Sequence, residues 1–247
     1  CGSSIGVPRI DGYWGKCNKS NKKNKRTRCS AIIIKGSNSI LIDTSPDIRD
    51  QLLTSKIKNI SSVVFTHEHA DQTNGLFELR PFFWKNKSRI NVYGDARTLN
   101  LLKKRSKYLF EGLKNYPPII RANTIKSKFY LGKNNEKILF NTTKVKHGKI
   151  NSIVYIFEKT AYISDSNDLS IIKMKELLNL KYLIIDCFRL EKHPTHFNLN
   201  DVLYVRDHLK PQKTILTNLH HDLDYNYLLR KLPKDVKPAY DGLSLNL

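Results

Sequence analysis

At 247 residues with 40% hydrophobic content, the chain has enough apolar material for one large α/β domain or two small ones, and disorder as its main state is excluded. No apolar run approaches the roughly 18 to 20 residues that span a bilayer and no signal pattern opens the chain, so a cytoplasmic protein without a membrane partner is expected. Lysine and arginine outnumber aspartate and glutamate by 43 to 22, and the resulting formal charge of +21 either would attract nucleic acid, an anionic membrane surface or a phosphorylated small molecule, without choosing among them, or reflects a compositional bias alone.

In chain order, Cys1-Gly2-Ser3-Ser4 reads like the turn after a strand, which implies that initiating residues and a first strand precede Cys1. The segment from Lys16 to Arg28 is the densest basic cluster, either a phosphate-facing patch or a solvated loop. The cysteines at 1, 17, 29 and 187 show no CxxC spacing, which argues for reduced thiols, with Cys187 as a small core residue. Apolar or β-branched runs predict strands at Ala31–Ile34, Ile40–Ile42, Val63–Phe65, Ile90–Val92, Lys137–Phe140, Ile153–Phe157, Ala161–Ile163, Leu183–Asp186 and Thr214–Leu216. Helical patterns cover Pro46–Leu53, Ala96–Phe110, Leu169–Leu178, Asn200–His208 and Asp224–Leu232. With no linker or repeat dividing the chain, one mixed-sheet α/β domain over residues 1–247 is the economical reading.

Chemistry concentrates at the ends of these strands. Directly after Val63-Val64-Phe65 comes Thr66-His67-Glu68-His69-Ala70-Asp71-Gln72, where alternate side chains can point to one side. His67 and His69 can then grip one cation while Asp71 reaches past it. His147-Gly148 closes another strand and offers a third imidazole. Asp165 follows a short apolar strand and reads either as a carboxylate shared between cations or as a turn cap. His196 lies in His193-Pro194-Thr195-His196, and Thr217-Asn218 ends the last strand before His220 and His221.

The order of these motifs resembles the metallo-β-lactamase fold hydrolases and, within them, the cyclic phosphodiesterases related to PhnP. The resemblance runs through Gly6-Val7-Pro8-Arg9, Arg26-Thr27-Arg28-Cys29-Ser30, Leu41-Ile42-Asp43-Thr44-Ser45-Pro46-Asp47, the His67 motif, Gly75, Leu79-Arg80-Pro81, His147-Gly148, Ser164-Asp165, His193-Pro194-Thr195-His196 and Ala239-Tyr240-Asp241-Gly242. It implies a four-layer αββα sandwich and a metal-dependent phosphodiesterase acting on a small or cyclic, phosphoribosyl-type phosphodiester.

Carried over by motif, His67, His69, His147 and Asp165 match the ligands of one metal, Asp71 a ligand of a second, and Asp71 and His196 the residues expected in catalysis. Asp43 matches an aspartate that supports the metal loops. Arg80 could hold a substrate phosphate or pair with an internal carboxylate. The family usually has histidine where this chain has Gln72 and Asn218, and both departures fall on the second metal. Their amide oxygens could form a weak second site favouring manganese, magnesium or iron over zinc. One or two divalent ions are therefore expected, zinc or manganese first. A structural zinc of the kind some PhnP-type enzymes hold has only Cys17 and His221 to draw on. An RNA-processing nuclease of the same fold, a metal-poor binding scaffold and a homodimer remain open.

Overall fold

In the computed structural model, which describes residues 1–247 apart from the side chain of Asn134, Gly36 at φ +54 turns the chain between β1 (Ala31–Lys35) and β2 (Asn38–Ile42). These strands pair antiparallel, and β3 (Ser62–Val64), β4 (Ile90–Gly94) and β5 (Ile120–Thr124) add in parallel to complete a sheet ordered β1-β2-β3-β4-β5. Helices α1 (Ile48–Thr54), α2 (Ala70–Thr73), α3 (Arg80–Asn86), α4 (Ala96–Arg105) and α5 (Lys107–Glu111) fill the connections. Their apolar faces join Leu41, Val63, Phe65 and Val92 in one core that includes Leu52, Leu79, Leu99 and Leu109. Each such side chain removed from water stabilises the fold by about 1.5 to 3 kcal/mol. With β6 (Lys128–Leu131), this is the compact unit Ser30–Phe140.

The other unit joins Cys1–Cys29 to Asn141–Leu247. Here β7 (Ile138–His147) and β8 (Ile150–Phe157) form a hairpin through Gly148 at φ +59. The next strand, β9 (Thr160–Ile163), is antiparallel to β8. From there the sheet turns parallel through β10 (Tyr182–Asp186), β11 (Lys213–Thr217) and β12 (Val236–Pro238), giving the order β12-β11-β10-β9-β8-β7-β6. Leu183, Ile185 and Leu216 are fully buried, the near-continuous apolar pattern of strands covered on both faces. Covering comes in part from α6 (Leu199–Leu209), whose Asn198 and Asp201 form a reciprocal capping box, and from α7 (Tyr225–Lys231), capped by Asp224.

The register of the parallel strands positions the chemistry. Ile163 pairs with Ile185, and Asp186 with Thr217. Asp165, Asp186 and Asn218 therefore emerge side by side at the carboxyl edge of one sheet, the edge where open α/β sheets present functional groups.

Several predicted elements take other forms. Leu169–Leu178 is two 3-10 turns, Leu169–Lys173 and Lys175–Leu177, rather than one α-helix. The Asp168 carboxylate accepts from Ser170 N–H and its hydroxyl, tightening the first turn. Ile171 and Leu177 are both fully buried, and six positions apart they would lie on different faces of an α-helix. The predicted helix Ala96–Phe110 breaks at Ser106 (φ −131, ψ 43) into α4 and α5, which lets Leu109 and Phe110 follow Leu99 and Leu102 into the core. The basic segment is not simply a solvated loop: Arg26 is 2% exposed and donates to the carbonyls of His220 and Leu223 and to Asn24 Oδ1. All four cysteines are free, and Cys187 is buried in the core. Among the described residues no helix is long and apolar enough to cross a membrane.

Candidate metal centre

Within residues 30–140 the site begins at the carboxyl ends of β2 and β3. Asp43, fully buried at φ +61, accepts from Thr66 N–H and from Thr66 Oγ1, each at 2.8 Å. With its proton given to Asp43, the Thr66 hydroxyl is left to accept from His67 Nδ1 at 3.1 Å. That arrangement assigns the proton to Nδ1 and leaves the Nε2 lone pair available to a metal. His67 Nε2 lies 3.0 Å from His69 Nδ1. Two nitrogens on one tetrahedral zinc, each about 2.0 Å from it, would stand about 3.3 Å apart. The pair therefore fits a shared cation. Asp43→Ala is expected to weaken metal affinity by about 10- to 100-fold, read by metal titration, because it frees the threonine that orients His67.

Asp71 and Gln72 follow in α2, with Asp71 half-buried and Gln72 fully buried. Gln72 Nε2 donates to Asp71 Oδ2 at 3.2 Å. The turn after them closes on the loop that follows β2: Thr44 N–H donates to Gln72 O, and Gly75 N–H to Thr44 O. A Cβ at Gly75 would lie 2.1 Å from Ser45 O and 2.6 Å from Ile48 Cγ2. Gly75→Ala is expected to cost about 2 to 3 kcal/mol of stability, measured by urea denaturation.

Glu68, which sequence reasoning passed over, points the opposite way from its neighbours, as strand-like alternation demands. It is 4% exposed, accepts from Arg97 Nε at 2.7 Å, and its carbonyl accepts from Arg105 Nη1 at 2.9 Å. The histidine loop is thus tied to α4. The Arg80 guanidinium lies over the rings of Phe77 and Trp84, at 4.4 and 4.8 Å from their centroids.

In the unit of residues 1–29 and 141–247, His147 ends β7 and its Nδ1 donates to Thr195 O at 2.8 Å, which again reserves Nε2 for a ligand role. Gly148 allows this approach, since a Cβ there would meet Thr195 Cγ2 at 2.5 Å. His147, Asp165 and His196 offer ligand atoms that all lie within 4.8 Å of one another. His196 Nδ1 is 2.8 Å from Asp186 Oδ2 and 3.6 Å from Asp165 Oδ1, and its ring stacks on Phe188 at 4.7 Å.

Asp186 is the second residue that sequence reasoning did not single out. It is fully buried, accepts from Ser166 N–H at 3.1 Å, and burial raises its pKa while His196 pulls the other way. Asn218, 1% exposed, donates from Nδ2 to Asp165 Oδ1 and to Asp186 Oδ1, each at 3.1 Å. Its Oδ1 lies 4.0 Å from the thiol of Cys29, a group that burial pushes up to about 12.

A second cluster in this unit, His220, His221 and Asp222, also brings its ligand atoms within 4.8 Å. His193 is held down to about 4, from an ordinary 6.5, by burial first and by its neighbour His196. Below pH 6.5 the unfolded chain takes up a proton that the folded chain refuses, so this group lowers stability as pH falls toward 4. A His193→Gln variant is expected to show a shallower loss of stability across that interval, followed by denaturant midpoints.

Two mixed sheets flanked by helices, with histidines and aspartates at their strand ends, define an α/β sandwich protein of the metallo-β-lactamase fold. Residues 38–220 match the model of the beta-lactamase superfamily domain, and the chain belongs to that superfamily. It is similar to a diphosphatase from the PhnP family, with 30% identity and a TM-score of 0.89 over 100% of this chain and 94% of that one. The zinc-bound PqqB of Methylobacterium extorquens, at 15% identity and a TM-score of 0.76 over 100% of this chain and 97% of its own, shares the fold. A curated relative, an octanoyltransferase from Porphyromonas gingivalis, is 29% identical over 98% of this chain. The chain spans about half, 49%, of that relative's length.

Proposed function

We propose that residues 1–247 act as a single metallo-β-lactamase-like domain in which His67, His69, His147 and Asp165 hold a divalent cation, zinc or manganese, for hydrolysis of a small phosphodiester or diphosphate. The observation that carries this reading is the 3.0 Å approach of His67 Nε2 to His69 Nδ1, with His67 and His147 each oriented through Nδ1 as metal-binding histidines are. The 30% identity to a diphosphatase of the PhnP family supports phosphoryl chemistry. When bound, the cation would supply Lewis acidity toward a phosphoryl oxygen and lower the pKa of a water. His196, aligned by Asp186 at 2.8 Å, gives a proton to the leaving oxygen, and the Asp71 carboxylate orients the attacking water. The net charge of +21 draws the anionic substrate in.

Screening cyclic and linear phosphodiesters and diphosphates with manganese, zinc, magnesium and iron tests the proposal. Metal-dependent cleavage of at least one class is expected, and none from any would overturn it. RNA belongs in the same panel: cleavage with steep salt dependence would move the reading to a nuclease.

A further inference from the structure

Thr195 sets two imidazoles of the same unit in opposite tautomers. Its carbonyl accepts from His147 Nδ1 at 2.8 Å, which leaves His147 a bare Nε2. Its backbone N–H donates to His193 Nδ1 at 3.3 Å, and its hydroxyl stands 3.2 Å from the same nitrogen. A backbone N–H can only donate, so His193 Nδ1 is an acceptor without a proton. The ring is then neutral and its hydrogen sits on Nε2, which has no partner among the described residues.

The loop that carries this ring is braced along its length. Arg189 Nε and Nη2 donate to the carbonyls of Glu191 and Lys192 at 3.4 and 2.6 Å, and Asn167 Nδ2 donates to Pro194 O at 2.8 Å. Phe188 packs against the His193 ring at 4.7 Å, and the His196 ring lies 5.0 Å away. A half-buried, neutral N–H donor is thereby fixed next to the imidazole that Asp186 aligns. Two histidines three positions apart have divided surroundings: His196 faces the carboxylates of Asp186 and Asp165, whereas His193 faces a backbone N–H and a hydroxyl. The first setting suits a group that gives up a proton, the second a group that keeps one. A donor that keeps its proton and is held in advance stabilises an anionic oxygen without reorganising.

We propose that His193 is a neutral hydrogen-bond donor to a phosphoryl oxygen of the substrate, a second protein contact beside the proton donor His196. The inference rests on the phosphoryl-hydrolase reading above and names a group that recognises the substrate's anionic oxygen.

Long-range proton–nitrogen NMR correlations of the zinc-loaded protein at neutral pH, with His193 assigned by its loss in His193→Gln, are expected to show hydrogen on Nε2 and a bare Nδ1. Inorganic pyrophosphate, used as the anion, is expected to shift that Nε2–H signal. Hydrogen on Nδ1, or an Nε2–H signal unmoved by excess pyrophosphate, would overturn the proposal and leave the hydrolase reading standing. His193→Phe keeps a ring against Phe188 but removes the donor, and its kcat is expected to fall about 100-fold. His193→Gln, whose amide N–H reaches about as far as Nε2, is expected to recover about 10-fold of that loss. Equal losses in the two variants, or none in His193→Phe, would show that the ring only packs there and refute its role as a donor. If no phosphoryl compound is cleaved with any metal, the hydrolase reading falls, while the pyrophosphate titration still decides whether His193 binds an anion.

Discussion

Replacing His147 by alanine is expected to lower metal-dependent phosphoryl cleavage by about 1000-fold or more, the equivalent of about 4 kcal/mol of lost transition-state stabilisation. The imidazole is set up for one task. Its Nδ1 is committed to Thr195 O at 2.8 Å, its neighbour Gly148 has no side chain to obstruct that bond, and its free nitrogen belongs to the cluster with Asp165 and His196. His67→Ala is expected to behave alike, because Thr66 and Asp43 hold its ring in the corresponding tautomer. Both variants should lose bound metal in parallel with activity. His208→Ala supplies the contrast: this ring is exposed on α6 and bonds only its own helix, to Tyr204 O at 2.8 Å, so turnover should be unchanged. Unaltered cleavage by metal-loaded His147→Ala and His67→Ala proteins would sink the assignment.

What was legible in the sequence follows from how local each signal is. His67 and His69 stand two positions apart just after an apolar strand, so alternation alone groups them, whereas Asp71 lies in α2, where alternation does not hold. The clustering of His147, Asp165 and His196 needed the family resemblance, because three separate elements deliver them. Asp186 escaped notice for the opposite reason. It continues the apolar run Leu183 to Ile185, and its role exists only because parallel register sets it against Thr217 and next to Asn218. Strands β5 and β6 were missed because Arg121, Asn123 and Lys128 interrupt the apolar pattern, and β12 because it is three residues long and ends in proline. The central strands were read because burial on both faces leaves no polar positions to obscure them.

Asp186→Ala is expected to have the largest effect on stability. The carboxylate accepts from Ser166 N–H and Asn218 Nδ2 at 3.1 Å and faces His196 Nδ1 at 2.8 Å, all around a fully buried position. Removing it strands those donors in a cavity where water has little room, and breaking such a buried polar network costs about 3 to 5 kcal/mol. For a protein of this size each kcal/mol moves the melting temperature by about 2 to 4 °C, so Tm should fall by about 10 °C. Asp186→Asn separates that structural cost from the catalytic one. It keeps the volume and one acceptor but removes the negative charge that favours protonated His196. Its kcat is therefore expected to fall about 10- to 100-fold, the range in which a positioned proton donor contributes, with KM little changed. The limb of the pH profile assigned to His196 should move to lower pH, since the imidazolium has lost its partner. A variant with normal kcat and an unmoved profile would show that Asp186 braces the sheet edge alone and does not tune the proton donor.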